Sequence, residues 1–140
     1  MARTSPEQNK ALVLEAFDVL STGGTTRYWS DRYIQHSAHI ELGHDGLFNQ
    51  IRSLPDTLRY ENRLILAEGE YVITHGRFSG SGREAAWIAV DIVRFEDGKL
   101  AEHWDVLQDE ATTAQSKSGL RCSAIASRID LPPSLDEARS

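Results

Sequence analysis

Cysteine is nearly missing from this chain: Cys122 stands alone among 140 residues. No internal disulfide can staple the fold, and small secreted domains usually carry several cysteines. A reducing, cytoplasmic setting is therefore expected. Cys122 follows an arginine near a serine-rich tail and reads as an inert surface thiol, not a nucleophile. Basic clusters are missing as well. Fifteen Lys and Arg are scattered against 21 Asp and Glu, for a net charge of −6. Phosphate binding needs a basic face, so a nucleic-acid partner is excluded. No apolar run approaches the ~20 residues of a membrane span, and residues 1–10 have no apolar segment of signal-peptide length; no membrane partner is expected. A Gly-rich phosphate loop, a nucleophile elbow and an HExxH pair are all absent, which leaves nucleotide hydrolysis and covalent serine catalysis without support.

What remains is an ordinary globular balance, 40% hydrophobic and 26% charged, at a length that suits one core. Ser5-Pro6-Glu7-Gln8 is a helix start: Ser5 caps, Pro6 suits the first turn and Gln8 closes a capping box. Leu12, Val13, Ala16, Phe17, Val19 and Leu20 then recur at helical spacing, and Gly23-Gly24 stops the helix. Residues 26–32 read as a short helix or turn carrying Tyr28 and Trp29, followed by a short extended piece, Tyr33-Ile34-Gln35, that leads to His36. Another helix is expected from Gly43 or Asp45, with Leu47, Phe48, Ile51 and Leu54 inward and Pro55 as its stop. Residues 58–67, 71–78, 85–95 and 100–108 are rich in β-branched and aromatic side chains and read as four strands. Their links, Glu68-Gly69-Glu70, Gly80-Ser81-Gly82 and Asp97-Gly98, carry turn chemistry. Links this short make antiparallel neighbours, so the class is α+β, with helices on one face of a bent sheet. The expected division is a domain over residues 1–110 and a tail over 111–140, partly mobile or wrapping a neighbouring subunit, in which Ile125 and Ile129 support at most one helical turn.

Three segments make the order of elements specific: Tyr33-Ile34-Gln35-His36; residues 90–95 with Asp97-Gly98-Lys99-Leu100; and Glu102-His103-Trp104-Asp105-Val106. Together, behind one capped helix, they resemble the SnoaL-like family of the nuclear transport factor 2-like superfamily, over roughly residues 9–108. The resemblance implies a cone-shaped α+β barrel, with N-terminal helices packed in a strongly bent, mainly antiparallel sheet and a pocket at the open end. Relatives include polyketide cyclases, ketosteroid isomerase and scytalone dehydratase, alongside binding domains with no chemistry, so the fold alone does not decide function.

Asp91 is the first candidate catalytic residue. Alternation sets Trp87, Ala89, Asp91 and Val93 on one face, where a carboxylate among apolar neighbours must be paired or protonated. By register it resembles the aspartic acid of the isomerase's oxyanion site, although a structural carboxylate is the competing reading. His36, the second candidate, lies where the isomerase carries its general-base carboxylate, and histidine titrates near neutrality. His36, His39, His44 and Asp45 can also be read as metal ligands, but their spacing matches no compact ligand motif, and no metal is expected. Alternation from Leu100 puts Glu102, Trp104 and Val106 on its face and His103 with Asp105 on the other. This favours Trp104 inside, as a pocket wall, with His103 and Asp105 outward. The alternative makes His103 and Asp105 a second acid–base pair at the mouth, which requires a bulge for both faces to reach one cavity. Phe17, Trp29, Tyr33, His39, Phe48 and Trp87 are the other candidate substrate-binding walls. Phe17 departs from the resemblance, since its stretch resembles the one that carries the isomerase's oxyanion tyrosine and phenylalanine has no hydroxyl. His75 reads as a histidine on the outer sheet surface.

Two functions stay open. One is a cofactor-independent enzyme moving a proton next to the carbonyl of a small, mostly apolar ligand, as an isomerase, cyclase or dehydratase does. The other is a non-catalytic ligand-binding or dimerisation domain. For either, a homodimer through the sheet face is expected.

Overall fold

The computed structural model describes residues 3–21 and 26–122. Helix α1, Pro6–Ser21, begins on the capping box: Ser5 N donates to Gln8 Oε1 at 2.9 Å, and Gln8 N donates to Ser5 Oγ at 3.1 Å. These bonds satisfy donors that a helix start leaves free. A single 3-10 turn, Thr26–Tyr28, leads into strand β1, Trp29–Gln35, and helix α2 follows as Gly43–Arg52. The expected short helix over residues 26–32 is therefore mostly strand. Gly23-Gly24 and residues 123–140, with Ile125 and Ile129, lie outside the described residues.

Four strands complete the sheet: β2 Arg59–Glu68, β3 Tyr71–Ser79, β4 Trp87–Glu96 and β5 Lys99–Asp109. Each lies within two residues of its expected bounds, because turn glycines punctuate the segments. Asp97 (φ 52°) and Gly98 (φ 76°) form the two-residue β4–β5 turn, a backbone that Asp and Gly tolerate. The order is β1-β5-β4-β3-β2. β2 to β5 form an antiparallel meander, while β1 pairs with β5 in parallel at the far edge. The chain reaches that edge because α2 intervenes between β1 and β2. No helix among the described residues is long and apolar enough to cross a membrane.

Bulges bend the sheet. In β5, Phe95 faces Leu100 while Arg94 faces Glu102, leaving Ala101 as the extra residue. In β2, Asn62 faces Gly76 and Leu64 faces His75, leaving Arg63. An extra residue in one strand bends it and increases its twist. The concave face carries Val72, Val93, Phe95 and Leu100, and α1 packs Val13, Ala16, Phe17 and Leu20 into the same core. Fully burying each Val, Leu or Phe among them contributes about 1.5–3 kcal/mol.

Candidate active site

Between the helices and the concave sheet lies a cavity of about 520 Å³. Its walls are mainly apolar: Phe17 and Leu20 from α1, Leu47 and Ile51 from α2, and Trp29 from β1 are among them. Exposed Arg83, Gln108 and Asp109 line one end. There Arg83 pairs with Asp109 at 2.7 Å and lies over the Trp87 ring, 4.9 Å from its centroid. Three titratable side chains converge on the cavity, namely Asp91 from β4 with His103 and Asp105 from β5. Their ligand atoms lie within 4.8 Å of one another. In composition they could hold a metal ion, with one imidazole and two carboxylates. The four residues read from sequence as a metal cluster are not the ones that converge.

The cluster is tightly specified. Asp91 and Asp105 are direct cross-strand neighbours, and His103 Nε2 lies 2.7 Å from Asp91 Oδ1. Asp91 is 4% exposed and His103 6%. On its other side, His103 Nδ1 lies 2.6 Å from Gln35 Oε1. Backbone Ser37 N donates to that same Gln35 oxygen at 2.9 Å. A backbone N–H only donates, so the Gln35 atom it meets is the carbonyl oxygen, and a carbonyl oxygen only accepts. His103 Nδ1 therefore carries a hydrogen. One proton then lies between Nε2 and Asp91: the pair is either neutral imidazole with carboxylic acid, or imidazolium with carboxylate. Either way its net charge is zero, which is how a buried pair avoids the cost of an isolated charge. Asp91 Oδ2 is buried with no hydrogen-bond partner among the described residues. Asp105 is half-buried and makes up the open side of the cluster.

Tyr33 lines the cavity beside these groups. Burial first, and then the Asp91 charge, push its phenol well above the usual tyrosine range, so it stays protonated.

The structure corrects three expected placements. His36 does not reach the cavity. Tyr33 and Gln35 point inward along β1, so two-residue alternation turns His36 outward. There it stacks on Trp104 at 4.8 Å and meets Glu102 Oε2 at 2.7 Å. Trp104 is also outside. The Ala101 bulge inverts the phase of β5 after Leu100, so His103, Asp105 and Leu107 line the cavity and Trp104 faces away. Phe48 stands behind the wall, packing edge-on against Trp29 at 5.1 Å. Asp91, Phe17, Trp29, Tyr33, His39 and Trp87 do line the cavity, as do His103 and Asp105, the alternative pair. Gln35 was missed. Its signal was available, since any phase that puts Tyr33 inside puts Gln35 inside too.

A curved α+β cone closed by two helices around a polar-centred cavity defines the nuclear transport factor 2-like class. Residues 12–103 match the SnoaL-like domain, well over half the chain, and the protein belongs to that family. No curated protein matches by sequence. Among solved structures, the chain is similar to AclR of Streptomyces galilaeus, a candidate hydroxylase, with 26% identity and a TM-score of 0.61 over 74% of this chain and 80% of that one. It is also similar to a candidate ketosteroid isomerase from Kribbella flavida (18%, TM-score 0.64, 76% and 82% covered). A candidate polyketide cyclase from Bacillus cereus shares the fold to the same degree (18%, TM-score 0.64, 76% and 78% covered).

Proposed function

We propose that the cavity is the active site of a cofactor-independent enzyme that moves a proton next to the carbonyl of a small, mostly apolar compound. The reaction is of isomerase, cyclase or dehydratase type. The observation that carries this reading is the buried His103–Asp91 pair at 2.7 Å, which shares one proton beside the Asp105 carboxylate in an apolar chamber. Titratable groups forced together in a cleft are the arrangement that acid–base catalysis uses. Asp105, on the open side, takes the proton from the carbon next to the carbonyl and becomes a carboxylic acid, leaving an enolate. The Asp105 proton exchanges with solvent and is then given back: to another carbon in an isomerisation, to the new alkoxide oxygen in a cyclisation, or to the departing hydroxyl, as water, in a dehydration. Asp91 lies directly across the sheet from Asp105, and the His103–Asp91 pair keeps one exchangeable proton beside it. Solved relatives carrying hydroxylase, isomerase and cyclase names support small-molecule chemistry in this fold. The competing reading, a binding domain, does not use the titratable cluster.

The outer sheet face supports pairing with a second copy. Leu66, Ile73, Ile92 and Trp104 are aligned across four strands, and Leu66 and Ile73 are 58% and 43% exposed. Contiguous apolar surface of this kind marks interaction sites. We place the protein in the cytoplasm on the strength of its single cysteine.

The test needs no known substrate. The protein is incubated in D2O with a panel of cyclic ketones, and deuterium uptake next to the carbonyl is followed by mass spectrometry. Wild type accelerates uptake for at least one panel member. Asp105→Asn and His103→Gln lose about 10²-fold or more, the range of general acid–base catalysis, while His36→Ala does not. No uptake above background, or equal uptake in all the variants, sinks the reading.

A further inference from the structure

We infer that the Tyr33 hydroxyl is the hydrogen-bond donor that receives the substrate's carbonyl oxygen, and that the Gln35 amide aims it. This deepens the proton-transfer reading and rests on it for the identity of the oxygen. The argument follows from the direction of each hydrogen bond. Ser37 N–H fixes which end of the Gln35 amide is oxygen. The other end, Nε2, therefore donates to the Tyr33 oxygen at 3.2 Å. The Trp29 indole N–H lies near the same oxygen without completing a hydrogen bond to it. Both groups are donors, so neither takes the hydrogen that Tyr33 itself carries. That hydroxyl belongs to a cavity-lining residue, and among the described residues no acceptor is hydrogen-bonded to it.

A buried O–H left without an acceptor costs stability unless a ligand supplies one. Here the hydroxyl lies on the same wall as the proton-sharing cluster, since Tyr33 and Gln35 point inward from β1 and Gln35 is directly opposite His103 in β5. Asp105 lines the same cavity and acts on the Tyr33 phenol through its charge, so a carbonyl oxygen seated on Tyr33 presents its neighbouring carbon to the chamber that holds the β5 carboxylate. When that carbon loses its proton, the oxygen gains charge, and a donor already in place stabilises the enolate more than the ketone. One amide thus orients both partners: its oxygen fixes the His103 tautomer, and its nitrogen turns the Tyr33 hydrogen toward the cavity. Gln35 is a positioning residue, because it touches no substrate itself. The substrate class narrows to neutral compounds with one carbonyl acceptor on an apolar ring or chain.

2-Naphthol is the probe, since it carries a single oxygen acceptor on an apolar frame, and naphthalene is the control. Dissociation constants are measured for wild type, Tyr33→Phe and Gln35→Glu. Wild type binds both compounds. Tyr33→Phe weakens 2-naphthol about three- to ten-fold, as expected for a hydrogen bond to a neutral oxygen, and leaves naphthalene within two-fold. Gln35→Glu keeps the phenol but replaces the amide donor with an acceptor. The Tyr33 hydrogen then turns to residue 35, and 2-naphthol weakens in the same way. Equal 2-naphthol affinity in wild type and Tyr33→Phe overturns the inference, as does a parallel loss of naphthalene or a wild type that ignores 2-naphthol. The two readings separate in the deuterium assay. If Asp105→Asn loses uptake while Tyr33→Phe keeps both uptake and affinity, the donor assignment fails alone. If wild type shows no uptake but the naphthol difference holds, Tyr33 stands as the donor and proton transfer falls.

Discussion

Removing one member of the His103–Asp91 pair should cost far more than removing both. In His103→Leu, Asp91 keeps its place at 4% exposure and loses the partner 2.7 Å away, while its Oδ2 already has no donor. An uncompensated buried charge costs about 3–5 kcal/mol, a large share of the ~5–15 kcal/mol that holds a domain folded. For a chain of this size that lowers Tm by roughly 12–20 °C, at about 4 °C per kcal/mol. If the pair is instead neutral, one lost buried hydrogen bond costs about 1–3 kcal/mol, so the magnitude reports where the shared proton sits. Asp91→Leu strands His103 in the same way, with Gln35 as its remaining partner. The double variant His103→Leu/Asp91→Leu buries two apolar side chains instead, and should return to within about 1–2 kcal/mol of wild type. The assay is urea unfolding of wild type, both single variants and the double variant, read as a double-mutant cycle. Additive losses, or single losses each below about 1 kcal/mol, would refute the claim that this pair is a coupled, desolvated unit.

On the outer face, Glu102 accepts from His36 and from Arg94, and these contacts hold its carboxyl below the usual carboxylate range, the His36 bond being the larger cause. A carboxyl whose folded value is depressed adds stability above its unfolded value near 4.3 and loses it as pH falls through the folded value. Urea midpoints between pH 7 and 3 should therefore fall less steeply for Glu102→Gln than for wild type, and parallel curves would refute the role. For the sheet-face dimer, Leu66→Glu and Val106→Glu place charges at exposed outer positions. Light scattering should show a dimer for wild type and a monomer for the double variant; a wild-type monomer at high concentration removes the interface.

The sequence carried the four strands β2 to β5, helices α1 and α2 and the family, because each rests on local chemistry; most of β1 was read instead as a short helix or turn. The Ser5–Gln8 capping box, the Asp97-Gly98 turn and the alternation through Asp91 depend on a few neighbouring residues and survived intact in the structure. It also held, unused, the phase that puts Gln35 beside Tyr33 on the inner face and turns His36 away. What no local pattern carried was the register. The Ala101 bulge adds one residue to β5, and with a period of two a single residue inverts every side chain that follows. That is why His103 and Asp105, and not Trp104, meet Asp91. The parallel pairing of β1 with β5 was equally silent, since it joins residues more than 60 positions apart, yet it sets Gln35 opposite His103 and so fixes which nitrogen carries the hydrogen. The sequence determined which side chains were available for chemistry, and long-range strand pairing decided which of them share one cavity.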